Sequence, residues 1–191
     1  AASDAIVTVR QADGRATFKW PGGSFSLYTL PAADFPRMAM QGHRASVTLG
    51  ADFLAALRRV TPCISKEETR YYLNGVYLER QASTGTLQPV ATDGHRLAAV
   101  VTKTEVGADW PAEIIPRRVC EIWPRLFPGE HTLSIREGKT MMLAGDRICL
   151  TAKVIDGSFP EWRRVVPKEG NRRFVTGRHA LGAAATMANK L

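Results

Sequence analysis

The sequence predicts an α+β fold assembled from strand–helix–strand–strand–strand units, and three observations carry that expectation. Apolar and polar residues alternate with period two along much of the chain, the signature of half-buried strands. Two stretches break the alternation: Gly50 to Val60 with apolar residues at helical spacing, and the run after Ile114-Ile115, where a proline stands near the first turn. The order of elements also recurs after about 125 residues, the size of an ordinary domain.

Residues 5 to 30 read as a meander, with Ile6-Val7-Val9, Ala16-Phe18-Trp20 and Phe25-Leu27-Thr29 as strands and with Asp13-Gly14 and Gly22-Gly23 as turns. It closes with Leu30-Pro-Ala-Ala-Asp-Phe-Pro36, whose two prolines stop any strand or helix. Ala45 to Leu49 is the next strand. The helix Gly50 to Val60 carries Phe53, Leu54, Leu57 and Val60 on one stripe and ends before Pro62. Tyr71 to Leu78, Gly85 to Val90 and Ala98 to Thr104 read as strands, with Gly94 at the turn between the last two. A second helix follows Ile114-Ile115, with Pro116 near its first turn, where a missing N–H costs little, and Pro124 limiting or kinking it. His131 to Ile135, Thr140 to Ala144 and Arg147 to Val154 complete the second unit, turning at Glu137-Gly138 and Gly145-Asp146.

The repeat sets the domain organisation. Phe25 to Pro36 resembles Ile148 to Pro160, a strand followed by a loop ending in Phe-Pro. Val47 to Leu57 is echoed by Phe174 to Ala184, a strand, a glycine and an apolar helix. The expected division is therefore 1–40 as the C-terminal part of one domain, 41–168 as a complete middle domain, and 169–191 as the first strand and helix of a third. Either the flanks belong to a longer chain or the partial units complete one another.

Composition narrows the class. A hydrophobic content of 45% supports a folded core, and no apolar run approaches the roughly 20 residues a spanning helix needs. The opening stretch has no basic segment followed by an apolar core, so a cytoplasmic protein is expected. Cys63, Cys120 and Cys149 are far apart without a CxxC pair, which argues against a disulfide framework or a zinc site and predicts buried thiols. There is no glycine-rich phosphate loop and no clustered ligand set, so neither cofactor nor metal is expected. The formal charge of +8 favours a polyanionic partner. Arg58-Arg59 and Arg117-Arg118 are doublets on the expected helices, and the stretch from Asn171 to Leu191 carries Arg172, Arg173, Arg178 and Lys190 with no acidic residue.

Thr92-Asp93-Gly94-His95-Arg96 has the residue types of a catalytic site. Asp93 and His95 could serve as base and orienter, yet such chemistry needs a nucleophile or a metal with further carboxylates, and none recurs nearby at ligand spacing. The plainer reading is a turn closed by Asp93-Gly94, with His95 a surface or capping residue.

Four blocks, Leu30 to Pro36, Arg70-Tyr-Tyr-Leu-Asn-Gly75, Val90-Ala-Thr-Asp-Gly-His-Arg-Leu97 and Asp156-Gly-Ser-Phe-Pro-Glu-Trp-Arg-Arg-Val-Val-Pro167, resemble the signatures of the bacterial sliding-clamp family, the beta subunit of DNA polymerase III, in order and at its spacing. The resemblance implies the DNA clamp fold, with two β-α-β-β-β motifs per domain and helices on the DNA-facing side. It implies a non-catalytic processivity factor of DNA replication that encircles duplex DNA without reading sequence, closes as a head-to-tail homodimer, and works in the bacterial cytoplasm at the nucleoid. It further implies that the polymerase, the clamp loader and repair factors dock linear peptides, through protein-protein interaction, into a pocket of Leu73, Thr92, Gly94, His95, Arg96, Leu97, Pro160, Arg164 and Val165. For DNA, Arg58, Arg59, Arg117 and Arg118 are the helical candidates, with Arg70 and Tyr71 beside them and Tyr72 assigned to sheet packing. Two alternatives stay open at this point: a truncated clamp-like protein that binds partners without encircling DNA, and a nucleic-acid enzyme using Asp93 and His95.

Overall fold

The first sheet is an antiparallel meander of β1 (Thr8–Ala12), β2 (Arg15–Trp20) and β3 (Gly23–Tyr28). The computed structural model describes residues 6–35, 38, 42–167, 172 and 174–188. The meander's register sets Val9, Phe18 and Phe25 across from one another, and Gln11, Ala16 and Leu27 likewise, so one face is largely apolar. The opposite face carries Thr8, Lys19 and Ser24, then Arg10, Thr17 and Ser26. Phe18 and Phe25 stack with centroids 4.7 Å apart, yet Phe25 and Leu27 remain 47% and 54% exposed. This apolar face is therefore open.

The middle of the chain runs β4 (Ala45–Leu49), α1 (Ala51–Val60), β5 (Gly75–Arg80), β6 (Leu87–Thr92), β7 (Leu97–Ala99), then β8 (Glu113–Pro116), α2 (Arg117–Leu126), β9 (His131–Arg136), β10 (Thr140–Ala144) and β11 (Cys149–Lys153). This is the expected α+β order, one strand, one helix and three strands, twice over. The pairing adds something the order does not contain: the sheets are β11-β10-β9-β4 and β7-β6-β5-β8. Each unit's first strand joins the other unit's sheet, antiparallel to β9 in one case and β5 in the other. Neither unit can bury its own first strand alone, so the two fold as one body.

Both helices supply the core between the sheets. Phe53, Leu54, Leu57 and Val60 of α1 and Val119, Cys120 and Trp123 of α2 are buried with Leu49, Val76, Leu78, Leu133, Ile135 and Met141. Phe53 meets Trp123 at 5.4 Å, which sets the helices side by side. The fully buried Trp123 donates its indole N–H to His131 Nε2 at 2.7 Å, and His131 Nδ1 lies 2.8 Å from the Gly129 carbonyl. One buried donor and one buried imidazole are thus satisfied together. Pro124 stands inside α2, which ends two residues later at Leu126.

Several expected boundaries shift. Tyr71–Leu73 is a 3₁₀ turn, so the strand expected from Tyr71 starts at Gly75. The strand expected over Ala98 to Thr104 stops at Ala99, although the Thr104 carbonyl still accepts from Leu87 N–H. Phe174 to Thr176 forms no strand, and only the helix α3 (Arg178–Ala188) follows. The pairing of β4 explains this: β4 becomes a strand by pairing with β9 of the unit that follows it, and no described residue plays that part for Phe174. The expectation of three buried thiols is corrected too. Cys120 is buried and burial pushes its thiol up to about 12, whereas Cys63 is half-buried and Cys149, at the start of the edge strand β11, is exposed. Pro36, Arg173 and Lys190 lie outside the described residues.

Candidate docking cavity and nucleic-acid interface

The β6–β7 turn is built by its own polar side chains. Asp93 Oδ1 accepts the backbone N–H groups of His95 and Arg96, each at 3.0 Å, and Oδ2 accepts Arg96 Nε at 3.0 Å. Thr92 Oγ1 donates to the Arg96 carbonyl at 2.8 Å and accepts from Gly94 N–H at 3.1 Å. The Arg96 and His95 amides, then the Arg96 side chain, pull the Asp93 carboxyl down to about 2. Asp93 thus meets His95 through its backbone, and both carboxylate oxygens are engaged in shaping the turn. Gly94 takes φ +91, a conformation glycine adopts without strain, and Arg70 lies directly against it. Arg70 is held there by Glu67, with bonds of 2.8 and 2.7 Å, and this guanidinium holds the Glu67 carboxyl below its ordinary value.

Opposite the turn runs the irregular stretch from Ile155 to Val165. Ile155 N–H donates to the Ile114 carbonyl at 2.9 Å, and Phe159 stacks on Tyr77 at 4.8 Å with ring planes 4° apart. Trp162–Val165 is a 3₁₀ turn. In such a turn residues i and i+3 eclipse, which puts Trp162 and Val165 on one side.

Between these walls lies a cavity of about 310 Å³ lined by Leu73, Thr92, Gly94, His95, Arg96, Leu97, Pro160, Glu161, Trp162 and Val165. Eight of the nine residues named for a pocket from the sequence converge on it. The ninth, Arg164, is exposed and outside the lining, because the 3₁₀ geometry turns it away from its neighbours at 162 and 165. Glu161 and Trp162 were missed, although both sit inside the Phe-Pro-Glu-Trp block.

A second, larger hollow of about 640 Å³ opens along the outer faces of α1 and α2. Arg58, Lys66, Arg96, Arg117, Arg118 and Arg125 line it, with Glu121 as its only carboxylate. Of the DNA candidates, Arg58, Arg117 and Arg118 meet here. Arg59 is exposed on α1 but outside the hollow, and Tyr71, 53% exposed, lines an adjoining depression with Lys66, Arg117 and Arg118. Arg70 is committed to Glu67, and Tyr72 packs edge-on against Tyr71 at 5.8 Å. Arg125 was missed, though it follows Arg118 by two helical turns. Arg117 and Arg118 occupy the first turn of α2, the positive end of its dipole, where a cation costs about 0.3–1 kcal/mol. Their pairs with Glu121, at 3.7 and 3.9 Å and partly exposed, return at most a similar amount. Helix stability does not explain two arginines there. Among the described residues no three His, Cys, Asp or Glu side chains gather as a metal site would require, and no helix is long and apolar enough to cross a membrane.

Two strand-exchanged β-α-β-β-β units whose helices pack side by side define the DNA-clamp class of fold. The chain belongs, within that class, to the family of the DNA polymerase III beta subunit: residues 49–161 match the model of its central domain. It is 37% identical over 174 residues to the beta sliding clamp of Salmonella typhimurium, covering 87% of this chain and 47% of that protein. The beta sliding clamp of Caulobacter vibrioides is 39% identical over 168 residues, covering 84% and 45%. Among solved structures, the sliding clamp of Bartonella birtlesii bound to griselimycin superposes with a TM-score of 0.84 at 28% identity, covering 96% of this chain and 51% of that one. The chain thus spans about half the length of the relatives it matches.

Proposed function

We propose that this chain acts as part of a DNA sliding clamp, a non-catalytic processivity factor of the replicative polymerase in the bacterial cytoplasm. Residues 41–168 serve as the middle domain, 1–40 as the end of the preceding one and 169–191 as the opening of the next. In the assembled ring, closed by two copies, α1 and α2 face duplex DNA and the 310 Å³ cavity docks linear peptides of the polymerase, the clamp loader and repair factors.

The observation that carries this reading is the adjacency of two chemically opposite surfaces. The helix side concentrates cations on rigid elements, which attracts phosphates without reading bases. The cavity has apolar walls from Leu73, Leu97, Pro160, Trp162 and Val165 with a polar rim, suited to a short, exchangeable peptide. Griselimycin, bound by the Bartonella relative, is the probe for that cavity. Duplex affinity should fall steeply with rising salt and show little base preference, and Leu73→Asp or Pro160→Asp should abolish griselimycin binding in a folded chain. Unchanged affinity for griselimycin in folded Leu73→Asp would defeat the docking assignment, as a flat salt response would defeat the DNA assignment.

A further inference from the structure

The cavity has one wall made by a hydrogen-bonded turn and one made by irregular chain. Besides the Ile155–Ile114 bond and the Phe159–Tyr77 stack, the irregular wall is bonded to one residue that lines neither hollow. Glu79 lies on β5 with its side chain 12% exposed. Its Oε1 accepts the indole N–H of Trp162 at 3.0 Å and Arg163 Nη2 at 2.8 Å, while Oε2 accepts Arg163 Nη1 at 3.3 Å. The Arg163 guanidinium in turn lies 4.4 Å over the Trp162 ring. Two residues earlier on the same face of β5, Tyr77 carries the stack with Phe159.

We propose that Glu79 is the positioning residue of the docking cavity, fixing Trp162 and the 3₁₀ turn so that the linker becomes a preformed second wall. This rests on the docking reading above. The chemistry is specific: a carboxylate has enough lone pairs to accept one indole and both arms of a guanidinium, and the bidentate pair sets orientation as well as distance. Trp162 is at once latched and part of the lining, so the latch acts directly on the shape a ligand meets. A wall fixed before binding spares the ligand the cost of ordering it.

The test uses Glu79→Ala, Glu79→Gln and Arg163→Ala with griselimycin as probe and the Trp162 indole N–H resonance, assigned through Trp162→Phe, as a readout of the latch. Glu79→Ala should move that resonance, speed its exchange and weaken griselimycin by tenfold or more, with the Trp110 and Trp123 resonances unmoved. Glu79→Gln keeps an acceptor for the indole and should fall between wild type and Glu79→Ala. Arg163→Ala, which leaves Glu79 in place, should weaken griselimycin as well and covers the case in which Glu79→Ala misfolds. Undiminished griselimycin affinity in Glu79→Ala, with Leu73→Asp abolishing it, overturns the positioning role. Failure of the wild-type chain to bind griselimycin counts against the docking reading instead, and an unmoved Trp162 resonance in Glu79→Ala then overturns the latch on its own.

Discussion

The Arg70 guanidinium stands 2.5 Å from the point where a Cβ on Gly94 would lie. Glu67 holds it there, so a Cβ at the tip of the β6–β7 turn would meet two obstacles: a φ of +91 that strains any L side chain, and a guanidinium at the end of a flexible side chain that would have to shift. Gly94→Ala should destabilise the domain by about 1–2 kcal/mol through backbone strain and weaken griselimycin by pushing the turn away from Arg70. Adding Arg70→Ala removes the collision and leaves the strain. Urea unfolding and calorimetric titration of the single and double variants should show binding partly restored and stability not restored.

Arg96 lines both hollows, the apolar cavity and the basic trough. One edge of its guanidinium, Nε, is tied to Asp93 while the side chain is 63% exposed, so the head is anchored and its outer nitrogens still meet solvent. Arg96→Ala should therefore lower griselimycin affinity and also reduce the dependence of duplex binding on log salt by about one. Arg58→Ala should reduce the salt slope alone. If Arg96→Ala left the slope intact, the shared role would be lost.

Asp93 carries a pH prediction. The Arg96 and His95 amides and the Arg96 guanidinium hold its carboxyl at about 2, below the unfolded carboxylate. A depressed carboxyl contributes fully above the unfolded pKa of about 3.9 and loses its contribution as pH falls toward its folded value. Below pH 4, the Arg96 amide resonance should titrate with a midpoint near 2. A midpoint near 4 would mean that the turn is not closed by this carboxylate.

The order of elements was legible because alternation and helical spacing are local properties, preserved from Val47 through Ala152. The exchange of β4 and β8 between sheets was not, since alternation says which face a strand buries and nothing about its partner. The turn reading of Asp93 and Gly94 followed from side-chain chemistry within five residues. The latch could not be read in that way: Glu79 and Trp162 are 83 positions apart, and neither local pattern requires the other. Cys149 was misread because a free thiol's usual burial is a property of its type, whereas this one sits at an edge-strand end.

Glu113 joins the two units electrostatically as β4 and β8 join them by pairing. Its side chain is 4% exposed, with Arg44 at 3.2 Å and Lys139 at 3.3 Å, both themselves nearly half exposed. Either cation alone leaves the buried carboxylate one partner, so Arg44→Met or Lys139→Met should cost about 1 kcal/mol, the worth of an ordinary hydrogen bond. Removing both strands the charge and should cost about 3–5 kcal/mol, more than the sum of the singles. Glu113→Gln, which returns both cations to water and keeps the shape, should cost less than that double change. Denaturant unfolding of the four variants checks the order, and strict additivity of the two methionine substitutions would show that the cations do not share Glu113.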